Sequence, residues 1–327
     1  MNDVVHVTGG AGFLGSHLCR VFLGRGDRVV CIDNLSTGYT ANVADLLDHE
    51  AFTFVEHDIT RRFDEHDLLK SLIRAEPPTR VCNMASPASP PTYRRFAVET
   101  LMVGSIGMSN VLELAAATGA RVLQASSSEV YGDPDVHPQT ESYWGRVNPI
   151  GPRSMYDEWK RFAEALCFAF ARTRGVEVRM PRIFNTYGPG LSPDDGRVVT
   201  NFIGQALRGE PLTVYGDGMQ TRSFCFVDDE VRGLVALLDS DVVGPVNIGS
   251  PNEFTMLELA SLVIEVTGSA SAVEHLPLPG DDPLQRQPDI TRAQNELDWE
   301  PTVLLRDGLE RTAAWFQLLP QFDTVRK

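Results

Sequence analysis

Three serines, Ser126, Ser127 and Ser128, run directly into Glu129, and 27 residues later Tyr156 stands four positions ahead of Lys160. Tyrosine titrates at about 10, so it is a poor base at neutral pH unless a cation stabilises its phenolate. A lysine four residues on, one helical turn away, supplies that cation on the same helix face. Serine hydroxyls can hold a substrate hydroxyl, and a carboxylate beside them adds a second acid–base group. The set reads as a site for proton and hydride transfer, with Glu129 deciding which reaction follows. A carboxylate at a helix entry can also cap backbone N–H groups, and that alternative ranks lower here.

The elements that must position these groups follow from the apolar pattern. Strands are predicted at 4–8, 28–33, 53–58, 80–84, 121–126 and 176–183, and helices at 14–24, 98–118 and 156–174. Alternating β and α elements predict an α/β fold, a doubly wound parallel sheet of Rossmann type with helices on both faces. Chemistry in such a sheet sits beyond the carboxyl ends of its strands, where the 121–126 strand delivers Glu129. On the 156–174 helix, Trp159, Ala163, Leu166 and Phe170 form a buried stripe, for a core or a dimer interface.

Gly, Pro and Asp become frequent after about Gly188, and shorter helical patterns follow at 200–208, 228–238, 256–268 and 305–317. The expected organisation is a dinucleotide-binding domain over 1–187 and a smaller substrate-binding lobe over 188–327, with segments that interleave.

Gly9, Gly12 and Gly15 fall between the first strand and the first helix. Glycines there let the backbone turn tightly and approach a pyrophosphate at the helix N-terminus. The next strand ends at Asp33, 18 residues past Gly15, where a carboxylate can hold both hydroxyls of an adenine ribose and would repel a 2′-phosphate. No arginine follows it directly, so NAD is favoured over NADP. Asp58 can reach the adenine or serve as a strand-end cap.

The chain has 327 residues, 43% hydrophobic and 22% charged, with a formal net charge of −15. That charge repels nucleic acid and anionic membrane, so neither is expected as a partner, and any anionic substrate must be met by local arginines. Lys70, Lys160 and Lys327 are the lysines. The cysteines, 19, 31, 82, 167 and 225, show no metal spacing and read as buried free thiols, with no metal site expected. The N-terminus enters a strand with no signal-peptide pattern, and no apolar run approaching membrane length stands out, so a cytoplasmic location is expected.

Longer runs narrow the reading. The glycine triplet with Tyr156 and Lys160 resembles the extended short-chain dehydrogenase/reductase superfamily. Residues 85–93 (ASPASPPTY), 127–134 (SSEVYGDP), 143–153 (YWGRVNPIGPR), 182–189 (RIFNTYGP), 196–199 (GRVV), 211–216 (PLTVYG) and 286–290 (RQPDI) resemble, in combination, the UDP-glucuronate decarboxylase (UDP-xylose synthase) family. The resemblance covers residues 4 to about 316.

It implies that Tyr156 takes the proton from a sugar C4 hydroxyl, with Lys160 lowering its pKa and holding the nicotinamide ribose. Hydride passes to NAD, the carboxylate β to the new ketone leaves as carbon dioxide, and the ketone is reduced again. Glu129 and Arg286 then assist decarboxylation and reprotonation, with Ser128 beside the sugar. Phe13, Leu14, Asn34, Ile59, Ala85 and Ser126 join the cofactor residues by the same resemblance. Tyr93, Ser127, Arg153, Asn185, Arg197, Val198, Tyr215 and Arg222 fall on its substrate contacts. For Arg286 the sequence alone favours a surface salt bridge, and Asn185 can equally be a turn residue. A homodimer through 98–118 and 156–174 is also implied.

Four positions depart from the family pattern: Trp159 replaces glycine, Met102 and Gly104 replace a lysine and an asparagine, and Pro181 replaces alanine. The substrate is therefore read as a UDP- or dTDP-linked glucuronate. A 4-epimerase or 4,6-dehydratase and a non-catalytic NAD-binding scaffold are the alternatives.

Overall fold

A computed structural model describes residues 2–277 and 285–322. Seven parallel strands lie side by side in the order Pro245–Ile248, Val178–Ile183, Arg121–Gln124, Arg80–Asn83, Val4–Thr8, Arg28–Asp33 and Phe52–Glu56. A two-residue strand, Ser126–Ser127, makes the eighth, pairing beside Arg182 and Ile183. The strands are rich in Val, Ile and Cys and nearly continuous in burial, because helices cover both faces. The chain order reverses at Val4–Thr8, which pairs with Arg28–Asp33 on one side and Arg80–Asn83 on the other. A crevice at such a reversal is where these sheets bind ligands.

The first unit reaches beyond residue 187. The edge strand Pro245–Ile248 belongs to the main sheet, and the helix Val227–Asp239 packs on it. Arg25 and Arg80 ion-pair with Asp239 at that helix's end. What remains of the smaller lobe includes the helices Val198–Arg208, Met256–Thr267 and Leu305–Gln317, with short two-stranded pairs at its margins. Its apolar residues join Val5, Val7, Leu18 and Phe22 in one continuous core.

Two sequence expectations are corrected. The third strand ends at Glu56, so Asp58 stands in the following loop. The 98–118 helix is not regular: Ala97–Met102 and Met108–Thr118 flank a π-helical turn, Val103–Gly107. By length and composition this 22-residue run is apolar enough to cross a membrane. In the structure it packs on the Ser154–Arg174 helix and the sheet, burying Thr100, Gly104, Met108, Val111 and Leu112.

The helix Ser154–Arg174 ends at Gly175, whose left-handed conformation (φ 68°) suits glycine. Along it Tyr156, Asp157, Trp159, Lys160, Ala163, Cys167 and Phe170 are buried, the wide inward face expected of a helix laid on a sheet.

Candidate active site

Gly9 adopts φ +67°, and a Cβ there would lie 2.6 Å from the Ala85 nitrogen. A Cβ on Gly15 would collide with the Gly9 carbonyl. The loop is thus a bare backbone cradle at the start of the helix Phe13–Gly24. Beside it opens a cavity of about 440 Å³, lined by Gly9, Gly12, Asp33, Asn34, Asp58, Ile59 and Ala85 among the expected residues. Met102 and Val103 close it from the helical run.

Asp33 accepts from the backbone N–H groups of Ala11 (3.0 Å) and Leu35 (2.8 Å) and faces this cavity. Burial pushes its carboxyl up, while those two bonds oppose the shift. Asp58 accepts from Asn34 and Thr60, tying the cavity wall together. The glycine cradle, the placed carboxylate and the cavity fit the adenosine end of a dinucleotide.

Phe13, Leu14, Gly15 and Ser126 lie outside the cavity lining. The Ser126 hydroxyl donates to Glu164 (2.5 Å), which also pairs with Arg182. Its hydroxyl thereby ties the Ser154–Arg174 helix to the sheet.

Lys160 is buried, and its Nζ donates to the Ala125 carbonyl at 2.7 Å. Burial lowers its pKa to about 7, against an opposing pull from Glu164. Nζ stands 5.5 Å from the Tyr156 ring centroid. Burial drives the Tyr156 phenol upward; Arg197 and a hydrogen bond from Ser127 act the other way, and Glu129 adds to the rise. Tyr93 stacks on Tyr156 with centroids 5.1 Å apart, and its hydroxyl is buried with no partner among the described residues.

Glu129 occupies the first turn after the serines, its N–H donating to Ser127 Oγ (3.3 Å). Its carboxylate does more than cap. Arg153 Nη2 donates to Oε2 at 2.7 Å, and Arg286 Nη1 donates to Oε1. Burial would raise this carboxyl, but the two guanidiniums prevail and bring it down to about 2. Arg286 is 2% exposed, so it is not a surface salt bridge.

Arg286 reaches Glu129 because its strand of chain is sewn to the 137–141 loop. Gln139 N–H donates to the Gln287 carbonyl, Gln287 N–H to Gln139 Oε1, and Asp289 N–H to the Gln139 carbonyl. Arg286 Nη2 also donates to the Gly132 carbonyl (3.0 Å).

Of the remaining expected residues, Ser127 and Ser128 are buried beside Glu129. Arg197 lies just ahead of Val198, the first residue of its helix, pairs with Asp195 and sends its field to Tyr156. Asn185 donates to the Ser223 carbonyl (3.1 Å), a bond between strand ends. Arg222 donates to the carbonyl of Thr221, and Tyr215 is 40% exposed. Sequence reasoning gave no role to Asp157. It is 6% exposed with Oδ1 unpartnered among the described residues, and burial, then Glu129, raise its carboxyl to about 7.

A cofactor cradle, a tyrosine–lysine couple and an arginine-clamped glutamate thus lie along one sheet edge. The family model described as NAD dependent epimerase/dehydratase matches residues 5–249. This chain belongs to the NAD-dependent epimerase/dehydratase family. It is 50% identical over 311 residues to UDP-glucuronic acid decarboxylase 1 of Arabidopsis thaliana, covering 95% of this chain and 69% of that one. UDP-glucuronic acid decarboxylase 6 of the same plant is 50% identical over 319 residues, 97% of this chain and 90% of that one. Among solved structures, the UDP-glucuronic acid 4-epimerase from Bacillus cereus, in complex with UDP-glucuronic acid and NAD, superposes with a TM-score of 0.85. It is 29% identical and covers 96% of this chain and 99% of that one. Backbone likeness therefore extends across reactions within the family, and side chains must tell them apart.

Proposed function

We propose that this protein is an NAD-dependent decarboxylase of UDP-glucuronate that forms UDP-xylose. The observation that carries the reading is Glu129 held ionised between Arg153 and Arg286 close to Tyr156. Relatives at 50% identity named for UDP-glucuronic acid support the uridine nucleotide over the thymidine one.

NAD, when bound, supplies a hydride acceptor that also returns the hydride. The chain's own groups supply the rest. Tyr156 removes the C4 hydroxyl proton, and the Lys160 ammonium stabilises the phenolate. With C4 a ketone, the C5–carboxylate bond breaks and its electron pair flows toward the C4 oxygen. The arginines offset negative charge at this end of a strongly acidic protein. C5 then takes a proton; Glu129, held ionised, can relay one from solvent but does not store it. Tyr156 gives its proton back to the C4 oxygen.

We also read the functional unit as a homodimer. Val98, Leu101, Met102 and Ile106 are 41–62% exposed on the helical run, and Phe162 is 49% exposed on the neighbouring catalytic helix. Exposed apolar residues on two packed helices suit a second copy of the same surface. Light scattering at micromolar concentration tests this: a dimer supports it and a monomer contradicts it. The free, buried cysteines fit the reducing cytoplasm, our proposed location.

Incubation with NAD and UDP-glucuronate, with product mass followed, tests the reaction. Loss of the mass of carbon dioxide supports decarboxylation. An unchanged mass with an altered sugar would point to an epimerase instead.

A further inference from the structure

Trp159 and Gly104 occupy one another's space. Trp159 is 2% exposed, and a Cβ on residue 104 would come within 2.7 Å of the Trp159 Cβ and closer still to its ring. Gly104 lies inside the π-helical turn Val103–Gly107, a kind of distortion that gathers at functional sites. The indole seated there faces the Lys160 ammonium, with Nζ 4.0 Å from the ring centroid. It also meets Tyr156 edge-on, with centroids 6.1 Å apart. Its Nε1 has no hydrogen-bond partner among the described residues, so the indole is not fixed there by a bond of its own.

A cation over an indole face is attracted by the ring quadrupole, most strongly when water is excluded. Lys160 is buried, at 4% exposure, and donates one hydrogen bond to the Ala125 carbonyl. We propose that Trp159 is a positioning residue: its indole, admitted by the missing side chain at Gly104, holds the Lys160 ammonium between the ring and the Ala125 carbonyl. The consequence for turnover rests on the reading of Lys160 as the partner of Tyr156; the contact itself does not.

Burial depresses the Lys160 ammonium, and the indole opposes that depression. Removing the ring should therefore lower the lysine's titration further. Water entering a vacated ring site would raise it instead, so the sign separates a cation–ring contact from simple packing.

The lysine content makes a direct test feasible. Lysine labelled with 13C at Cε gives signals from Lys70, Lys160 and Lys327 alone, and exposed Lys70 serves as an internal reference. The titration is followed by NMR in wild type, Trp159→Phe and Trp159→Leu, with the holoprotein. In the leucine variant Lys160 should titrate lower by about 0.4–1.5 pH units, with phenylalanine between and Lys70 unmoved. Should the leucine variant fail to fold, the smaller downward shift in Trp159→Phe carries the test. Unchanged or raised titration of Lys160 in the folded variants would overturn the proposal. A lowered titration without decarboxylation of UDP-glucuronate would keep the contact and remove the proposed function.

Discussion

Arg286 and Glu129 lie 157 residues apart in the chain, yet Arg286 Nη1 donates directly to Glu129 Oε1. Arg153 takes the other oxygen, 24 residues away. Together they settle the charge of Glu129 before any substrate arrives. A carboxylate held down to about 2 by two guanidiniums is a fixed negative charge near neutral pH, not a proton store.

Replacing that charge should therefore be costly. Glu129→Gln is expected to cut decarboxylation by ~10²–10⁴-fold. It also leaves two guanidiniums without their shared counter-charge, so thermal stability should fall with it. Product release and thermal unfolding, measured side by side, separate the two effects. A wild-type rate in a folded variant would remove Glu129 from the chemistry.

Tyr156→Phe keeps the ring that stacks on Tyr93 and loses the hydroxyl. C4 oxidation should stop while UDP-glucuronate still binds, as seen by calorimetry beside the absorbance of reduced nicotinamide. Residual turnover near the wild-type level would mean another group takes the proton.

Asp33→Asn tests the cofactor end. The carboxylate accepts from Ala11 and Leu35 and faces the cavity, so losing its charge should weaken NAD binding by about tenfold or more. Discrimination against NADP should narrow, because the repulsion of a 2′-phosphate goes with the charge. Equal NAD affinity in the two proteins, by titration calorimetry, would place the ribose elsewhere.

Asp157 gives a pH-dependent prediction. Burial, then Glu129, raise its folded pKa from 3.8 to about 7, so the folded protein holds this proton more tightly than the unfolded chain. The stabilising share of that proton is fully present below the unfolded value and is lost as pH rises through about 7. Asp157→Asn cannot ionise. Relative to wild type, its melting temperature should be higher at about pH 8 than the comparison at about pH 4 would suggest. An offset that does not change between the two pH values would contradict this.

Much of this arrangement is legible in the sequence, and the reasons are local. The glycine triplet, the strand ending at Asp33 and the Tyr156–Lys160 spacing each depend on a few neighbouring residues. The interruption at Val103–Gly107 was not legible, because it arises from tertiary contact. Gly104 meets Trp159, and Gly107 meets Ile59, from distant parts of the chain. The burial of Arg286 was hidden for a related reason: the backbone bonds between Gln139 and the Gln287–Asp289 segment carry no pattern in one dimension. The edge strand Pro245–Ile248 is too short to announce which sheet it joins. Nor does the sequence show that the Ser126 hydroxyl donates to Glu164, 38 residues away.

In the proposed decarboxylation C4 recovers its own hydrogen and C5 takes one from water. Turnover of UDP-glucuronate in deuterated water, with the product analysed by NMR, tests it most directly. UDP-xylose with one deuterium at C5 and none at C4 is the expected product. Deuterium at C4, or a six-carbon sugar that keeps its carboxylate, would contradict it.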